Sequence, residues 1–128
     1  MSSTPIGRPK AEPAGPEPLV LQKWEHFVAW LFDHTAKWPK SARFTITQRL
    51  ENHALDVTEQ LVLARYEPRE RARLLHDTNL RFERMRHLLR LAHDARVMPH
   101  HGFESAIRQI DEAGRMVHGW RQALGARS

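Results

Sequence analysis

Nine histidines, fifteen acidic residues and five serines in this chain of 128 residues are the groups that could bind a metal, move a proton or attack a carbonyl. A dinuclear carboxylate centre in a helix bundle needs glutamate with histidine three residues on, so that both side chains aim at one ion. None of the ten glutamates has that partner, and His-Glu-x-x-His is also missing. His100 and His101 are adjacent at a turn, and neighbours on an ordered backbone aim apart; most of the histidines read as solvated. The six glycines form neither a P-loop nor Gly-x-Gly-x-x-Gly, and no serine sits in a Gly-x-Ser-x-Gly elbow. Carboxylate pairs for acid/base work would be Glu51 with Asp56 or Asp111 with Glu112. Each lies beside an arginine at helical spacing, which reads as surface pairing. Cysteine is absent, so disulfides, thiol catalysis and cysteine-ligated zinc are excluded. The expectation is a protein with no catalytic residue, no cofactor and no metal.

Charge carries more information. Lys and Arg number 20 against 15 Asp and Glu, and the excess of +5 draws the chain to polyanions. Most of the cations are arginines, whose planar fork suits phosphate or carboxylate. Between Arg69 and Val97 lie arginines at 69, 71, 73, 81, 84, 86, 90 and 96, against Glu70, Asp77, Glu83 and Asp94. At about 100° per residue, Arg86 and Arg90 share one flank of the apolar stripe while Arg73, Arg84 and His87 fall on the far face. Two basic surfaces result, with pairs such as Glu83 and Arg86 or Glu83 and His87 along the helix. A proline corner, "WPKSARF", adds Lys37, Lys40 and Arg43. Trp38 and Phe44 lie among these cations, where rings can stack on bases; the expectation here is that they plug the end of the core.

These side chains must be held by helices. Val20, Trp24, Phe27 and Leu31 recur at spacings of four, three and four, predicting a first helix to about Lys37 that Pro39 stops. Ile46, Leu50, Ala54, Val57, Leu61 and Ala64 predict a second, ending near Tyr66 before Pro68, with Thr45 and Gln48 spaced as a capping box. Leu75, Phe82, Met85, Leu89 and Ala92, widened by Leu74 and Leu88, predict a third from about Arg69 to Val97. Phe103, Ile107, Ile110, Ala113, Val117, Trp120 and Leu124 predict a fourth. No alternation of strand type persists, and no repeat of solenoid length is present. The fold class is all-α, an antiparallel up-down four-helix bundle over 19–124.

Residues 1–18 hold five of the eight prolines and almost nothing apolar, and are expected to form a disordered tail; 125–128 are expected to be a flexible C-terminus. The opening residues contain no apolar run of signal-peptide type, and no stretch of about 18 apolar residues occurs. A soluble, cytoplasmic protein is expected, with no membrane partner.

The segments "WPKSARFTITQRLENHALDVTEQLV" and "LRFERMRHLLRLAHDARVMPHHGFESAIRQIDEAGRMVHGW" resemble the four-helix bundle family that contains the accessory variability protein of diversity-generating retroelements and its relatives encoded in ribosomal-RNA intervening sequences. The most specific pieces are Pro39, Lys40, Arg43 and Phe44, then Arg49 to Glu51, then "LLRLAHD" and "EAGRMVHGW"; the resemblance spans about residues 19–124. It implies a basic scaffold that assembles as a homopentamer, binds reverse transcriptase and nucleic acid, either template RNA or cDNA, and supports mutagenic reverse transcription. For the ribosomal-RNA-associated relatives it implies an interaction module with a protein partner and no retroelement role. The charge pattern puts contacts to polymerase or nucleic acid at Arg73, Arg81, Arg84, Arg86, Arg90, Lys40 and Arg43. Replacing Arg84, Arg86 and Arg90 together by glutamate is expected to abolish binding and leave helicity intact.

Overall fold

The apolar stripes become the inner faces of four helices in the computed structural model, which describes residues 16–127. Helix α1 spans Leu19–Thr35, α2 Gln48–Tyr66, α3 Arg71–Asp94 and α4 His100–Arg127. Each packs against its two neighbours in ring order, α1 on α2, α2 on α3, α3 on α4 and α4 back on α1. Short connections make consecutive helices antiparallel, as the stripes predict. The expectation of a disordered tail lies, for residues 1–15, outside the described residues. At the other end the α4 backbone runs on to Arg127, past the boundary expected at Leu124.

The core is built by the predicted positions. Trp24, Phe27 and Leu31 of α1, Leu50, Ala54, Val57 and Leu61 of α2, and Leu75, Phe82, Met85 and Leu89 of α3 are all buried. Ile110 and Val117 close it from α4, and Ala106, which the stripe omits, is buried with them. Burying each large side chain contributes roughly 1.5–3 kcal/mol, which is what holds helices of such polar composition together. The Trp24 ring lies 4.7 Å from Phe27 and 5.1 Å from Phe82, centroid to centroid. Its Nε1 donates to the Ala54 carbonyl at 2.9 Å, tying α1 to the backbone of α2.

The corner departs from expectation. Helix α1 ends at Thr35, two residues early, because Trp38 precedes a proline and is steered out of the helical region. A 3₁₀ turn at Lys40–Ala42 and a π-helical turn at Arg43–Thr47 then lead into α2 without a break in helical backbone. No helix N-terminus exists at Thr45, so no capping box forms: its hydroxyl donates to the Ala42 carbonyl at 3.2 Å instead. Trp38 is buried and plugs the core end, while Phe44 is 80% exposed. The expectation that both rings plug the core end therefore holds for Trp38 and fails for Phe44. Thr35 Oγ1 donates to Glu51 across the corner at 2.5 Å, fastening α1 to α2.

Helix α3 is shorter than expected at both ends. Arg71, at its first turn, points back to the end of α2: its Nε donates to the Ala64 carbonyl at 2.5 Å and its Nη2 to the Arg65 carbonyl at 2.9 Å. These are carbonyls that the end of a helix leaves unpaired. At the far end Val97 N donates to Ala92 O at 2.9 Å and Arg96 N to His93 O at 3.0 Å, the two bonds of a Schellman closure. The residue at its left-handed position is Arg96, with φ of 62°. A side chain there costs about 1 kcal/mol, of which glycine would return part through its looser unfolded state. Arg96→Gly is expected to raise stability by no more than about 0.5 kcal/mol in thermal unfolding.

Candidate nucleic-acid interface

Within α3 six arginines face three acids, and their surroundings divide them sharply. Arg73 is exposed but bound on its own helix, with Nε 2.8 Å from Glu70 and Nη1 3.3 Å from Asp77. Those contacts hold its pKa above the ordinary value, the Glu70 hydrogen bond contributing most. Arg81 and Arg86 sit on opposite flanks of the core stripe and reach across to neighbouring helices. Arg84 and Arg90 are exposed and make no ion pair among the described residues. Lys40 and Arg43 are likewise exposed and unpaired among them.

The α2–α3 seam is built around His53, half-buried on α2. Arg81 Nη1 lies 3.0 Å from His53 Nδ1 and 3.1 Å from Asp56 Oδ2. A guanidinium only donates, so Nδ1 must accept and the ring hydrogen resides on Nε2. Burial, then the cations of Arg81 and Arg84, hold this imidazole below the ordinary value of 6.5; Asp56 opposes them and Arg49 adds to them. The unfolded chain therefore takes up a proton near pH 6.5 that the folded chain refuses. Stability falls as pH drops below that value, and the loss stops growing once pH is under the lowered folded pKa. His53→Asn, which keeps an acceptor for Arg81, is expected to flatten this part of the slope. Urea midpoints between about pH 7.5 and 5 measure it.

On the opposite flank Arg86 joins α3 to α4. Its Nε donates to Asp111 at 2.9 Å and its Nη1 to Glu83 at 2.7 Å. Gly114 makes room for it, since a Cβ there would stand 3.3 Å from Arg86 Nη2. Around this clamp runs an open groove of about 750 Å³, with His76, Arg115, His118 and Arg121 on its walls. The carboxylates expected to pair within their own helices thus pair between helices: Asp56 with Arg81, Asp111 with Arg86, and Glu112 with Lys23 at 2.9 Å.

The corner lies at the end of the bundle where α1 and α3 finish and α2 and α4 begin. Lys40, Arg43 and the bare Phe44 ring are there, together with Arg96 and the α3–α4 turn. In that turn His93 Nε2 meets His100 Nδ1 at 3.0 Å, and His100 Nε2 lies 3.1 Å from Glu104. Most of the histidines are exposed, as expected; His34, His53 and His93 are half-buried. Among the described residues no three His, Asp or Glu side chains converge as a metal site.

Counting arginines along one helix misses Arg49, Arg115 and Arg121, which belong to α2 and α4 and meet α3 only through packing. It also counts Arg71 as free charge. Arg71 is spent on the end of α2, and its guanidinium lies 5.7 Å from the Trp120 ring. The seven expected contact residues do not form one surface. They distribute over the α2–α3 seam, the α3–α4 groove, the outer face of α3 and the corner.

Compared with models of protein families, residues 19–124 match the one described as bAvd-like. The curated proteins contain no match to the chain.

Proposed function

Since the chain belongs to the bAvd-like family over residues 19–124, we propose that it is a non-enzymatic accessory protein of a diversity-generating retroelement. In this reading it binds reverse transcriptase and nucleic acid, template RNA or cDNA, through its basic surfaces and supports mutagenic reverse transcription in the cytoplasm. One observation carries the reading beyond the family: exposed arginines without carboxylate partners among the described residues, Arg84 and Arg90, stand on a rigid helix, and Lys40 and Arg43 flank an exposed aromatic ring. Fixed cations release counterions from a phosphate backbone, and a ring such as Phe44 stacks on an unpaired base of any identity. Arg73, Arg81 and Arg86 contribute less than their number implies, because carboxylates already satisfy part of each.

Assembly multiplies these contacts. Leu55, Val62 and Tyr66 are exposed and, at spacings of seven and four, share the outward face of α2. That apolar face supports a homo-oligomer, read here as the pentamer of the family resemblance. Ring symmetry repeats each cationic surface, so avidity rises without any single tight site. Sequence preference is weak, because phosphate contacts position a strand without reading its bases.

No helix of the described residues is long and apolar enough to cross a membrane. Filter binding of single-stranded RNA and DNA at rising salt tests the proposal. The expected result is an affinity that falls steeply with salt, the logarithm of the binding constant dropping by roughly 0.7 per neutralised phosphate for each tenfold rise. A salt-insensitive complex with a protein partner, and no retention of either nucleic acid, would instead select the interaction module without a retroelement role.

A further inference from the structure

We infer that the α2–α3 seam around His53 is a phosphate-binding site, seating a backbone phosphate of nucleic acid between Arg84, Arg81 and Arg49 with His53 Nε2–H as a neutral donor. The inference rests on the proposed nucleic-acid binding and names the surface that performs it.

Three cations, Arg49, Arg81 and Arg84, and one carboxylate, Asp56, act electrostatically on the His53 ring. A seam needed only to join two helices would need no surplus of cations; the Arg86 clamp sets one cation against two carboxylates, Asp111 and Glu83. Here the surplus stays positive, and a half-buried histidine is placed where burial and the neighbouring cations disfavour its protonation. Arg81 supplies the reason this is a built arrangement. By donating to Nδ1 at 3.0 Å it fixes the tautomer, so the hydrogen sits on Nε2, which has no protein partner among the described residues. Arg81 is itself oriented by Asp56 at 3.1 Å.

The ligand chemistry is set by the donors. They come from two helices and from groups of different shape: guanidinium forks and one imidazole N–H. A phosphodiester has two anionic oxygens that diverge from a tetrahedral centre, so it can accept from α2 and α3 together. A planar carboxylate is satisfied by one fork, and Asp56 already takes that role toward Arg81. Arg49 and Arg84 are exposed, so a strand can reach both.

Binding must then leave a mark on the ring. A phosphate beside His53 offsets the cations that depress its proton affinity, so the imidazole pKa rises on binding. Beyond about 8 Å at physiological salt the effect of a remotely bound strand is screened. The experiment is an NMR titration of the full chain with 13Cε1-labelled histidine, alone and with an oligothymidylate of about 20 nucleotides, an unstructured strand that isolates backbone contacts.

The expected result is a rise of about one unit at His53, equivalent to tenfold tighter binding by the protonated form. Arg49→Gln combined with Arg84→Gln should remove the rise and weaken binding about tenfold, with the thermal midpoint unchanged. Lys40→Gln combined with Arg43→Gln should leave it in place. If filter binding detects the strand but His53 does not move, this site is rejected and the nucleic-acid function stands. If no strand binds by either method, both fail. A poly-glutamate probe that raises the His53 pKa where the oligonucleotide does not would also overturn the assignment, in favour of an acidic protein surface.

Discussion

Arg84→Glu is expected to lower affinity for single-stranded nucleic acid by roughly one to two orders of magnitude while stability stays within about 0.5 kcal/mol of the parent. Arg86→Glu is expected to cost about 2–3 kcal/mol of stability. Two arginines one half-turn apart on α3 are thus assigned to different work. Arg84 is exposed and unpaired among the described residues, so in the proposed nucleic-acid role reversal removes an attraction for phosphate and adds a repulsion. Arg86 is only 22% exposed, and a glutamate there would face Asp111 and Glu83 with no cation between them. Because those two carboxylates are 44% and 62% exposed, water screens part of the repulsion and the cost stays well below that of a fully buried unpaired charge. Urea unfolding together with filter binding separates the two cases. Equal loss of binding at unchanged stability in both variants would show that Arg86 is a contact and not a clamp. The combined replacement of Arg84, Arg86 and Arg90, expected from sequence to spare the fold, instead mixes a structural lesion with a binding one.

The same contrast explains which features are legible in the sequence. Helix stripes such as Leu50, Ala54, Val57 and Leu61 depend only on the period of the backbone, and they are buried as read. Family membership is legible too, since the resemblance read over about residues 19–124 is the span the family model matches. Ion pairing depends on what stands across a seam. Asp111 reaches Arg86, and Asp56 reaches Arg81, only after two helices pack. The corner misleads because Thr45 and Gln48 have the spacing of a helix start, whereas Pro39 is succeeded by 3₁₀ and π turns that never leave helical backbone. Trp38, ahead of both turns, lies inward, and Phe44, inside the π segment, lies outward. Arg49 carries no signal of its own. Its proximity to His53, one turn along α2, matters only because Arg81 and Arg84 arrive on α3.

Trp24 sets the strongest test of the scaffold. Trp24→Ala is expected to destabilise the bundle by about 3–5 kcal/mol, a large share of the roughly 5–15 kcal/mol that domains of this size possess. The side chain is 1% exposed and meets aromatic neighbours from both α1 and α3, so its removal leaves a cavity that helices fixed on three sides cannot collapse. Trp24→Phe separates packing from hydrogen bonding. It keeps a ring against Phe27 and Phe82 but loses the donor to Ala54 O. That carbonyl still accepts from the Thr58 hydroxyl at 3.1 Å, so it is not orphaned, and the expected cost is only about 1 kcal/mol above the lost volume. A Thr58→Ala background should make Trp24→Phe more costly, and the excess over additivity in urea unfolding measures their shared hold on Ala54. Strict additivity would mean that the indole contributes through packing alone. If so, α1 is positioned by shape rather than by a bond to α2, and the corner that carries Lys40, Arg43 and Phe44 depends on Trp38 and the Thr35–Glu51 contact for its place at the end of the bundle.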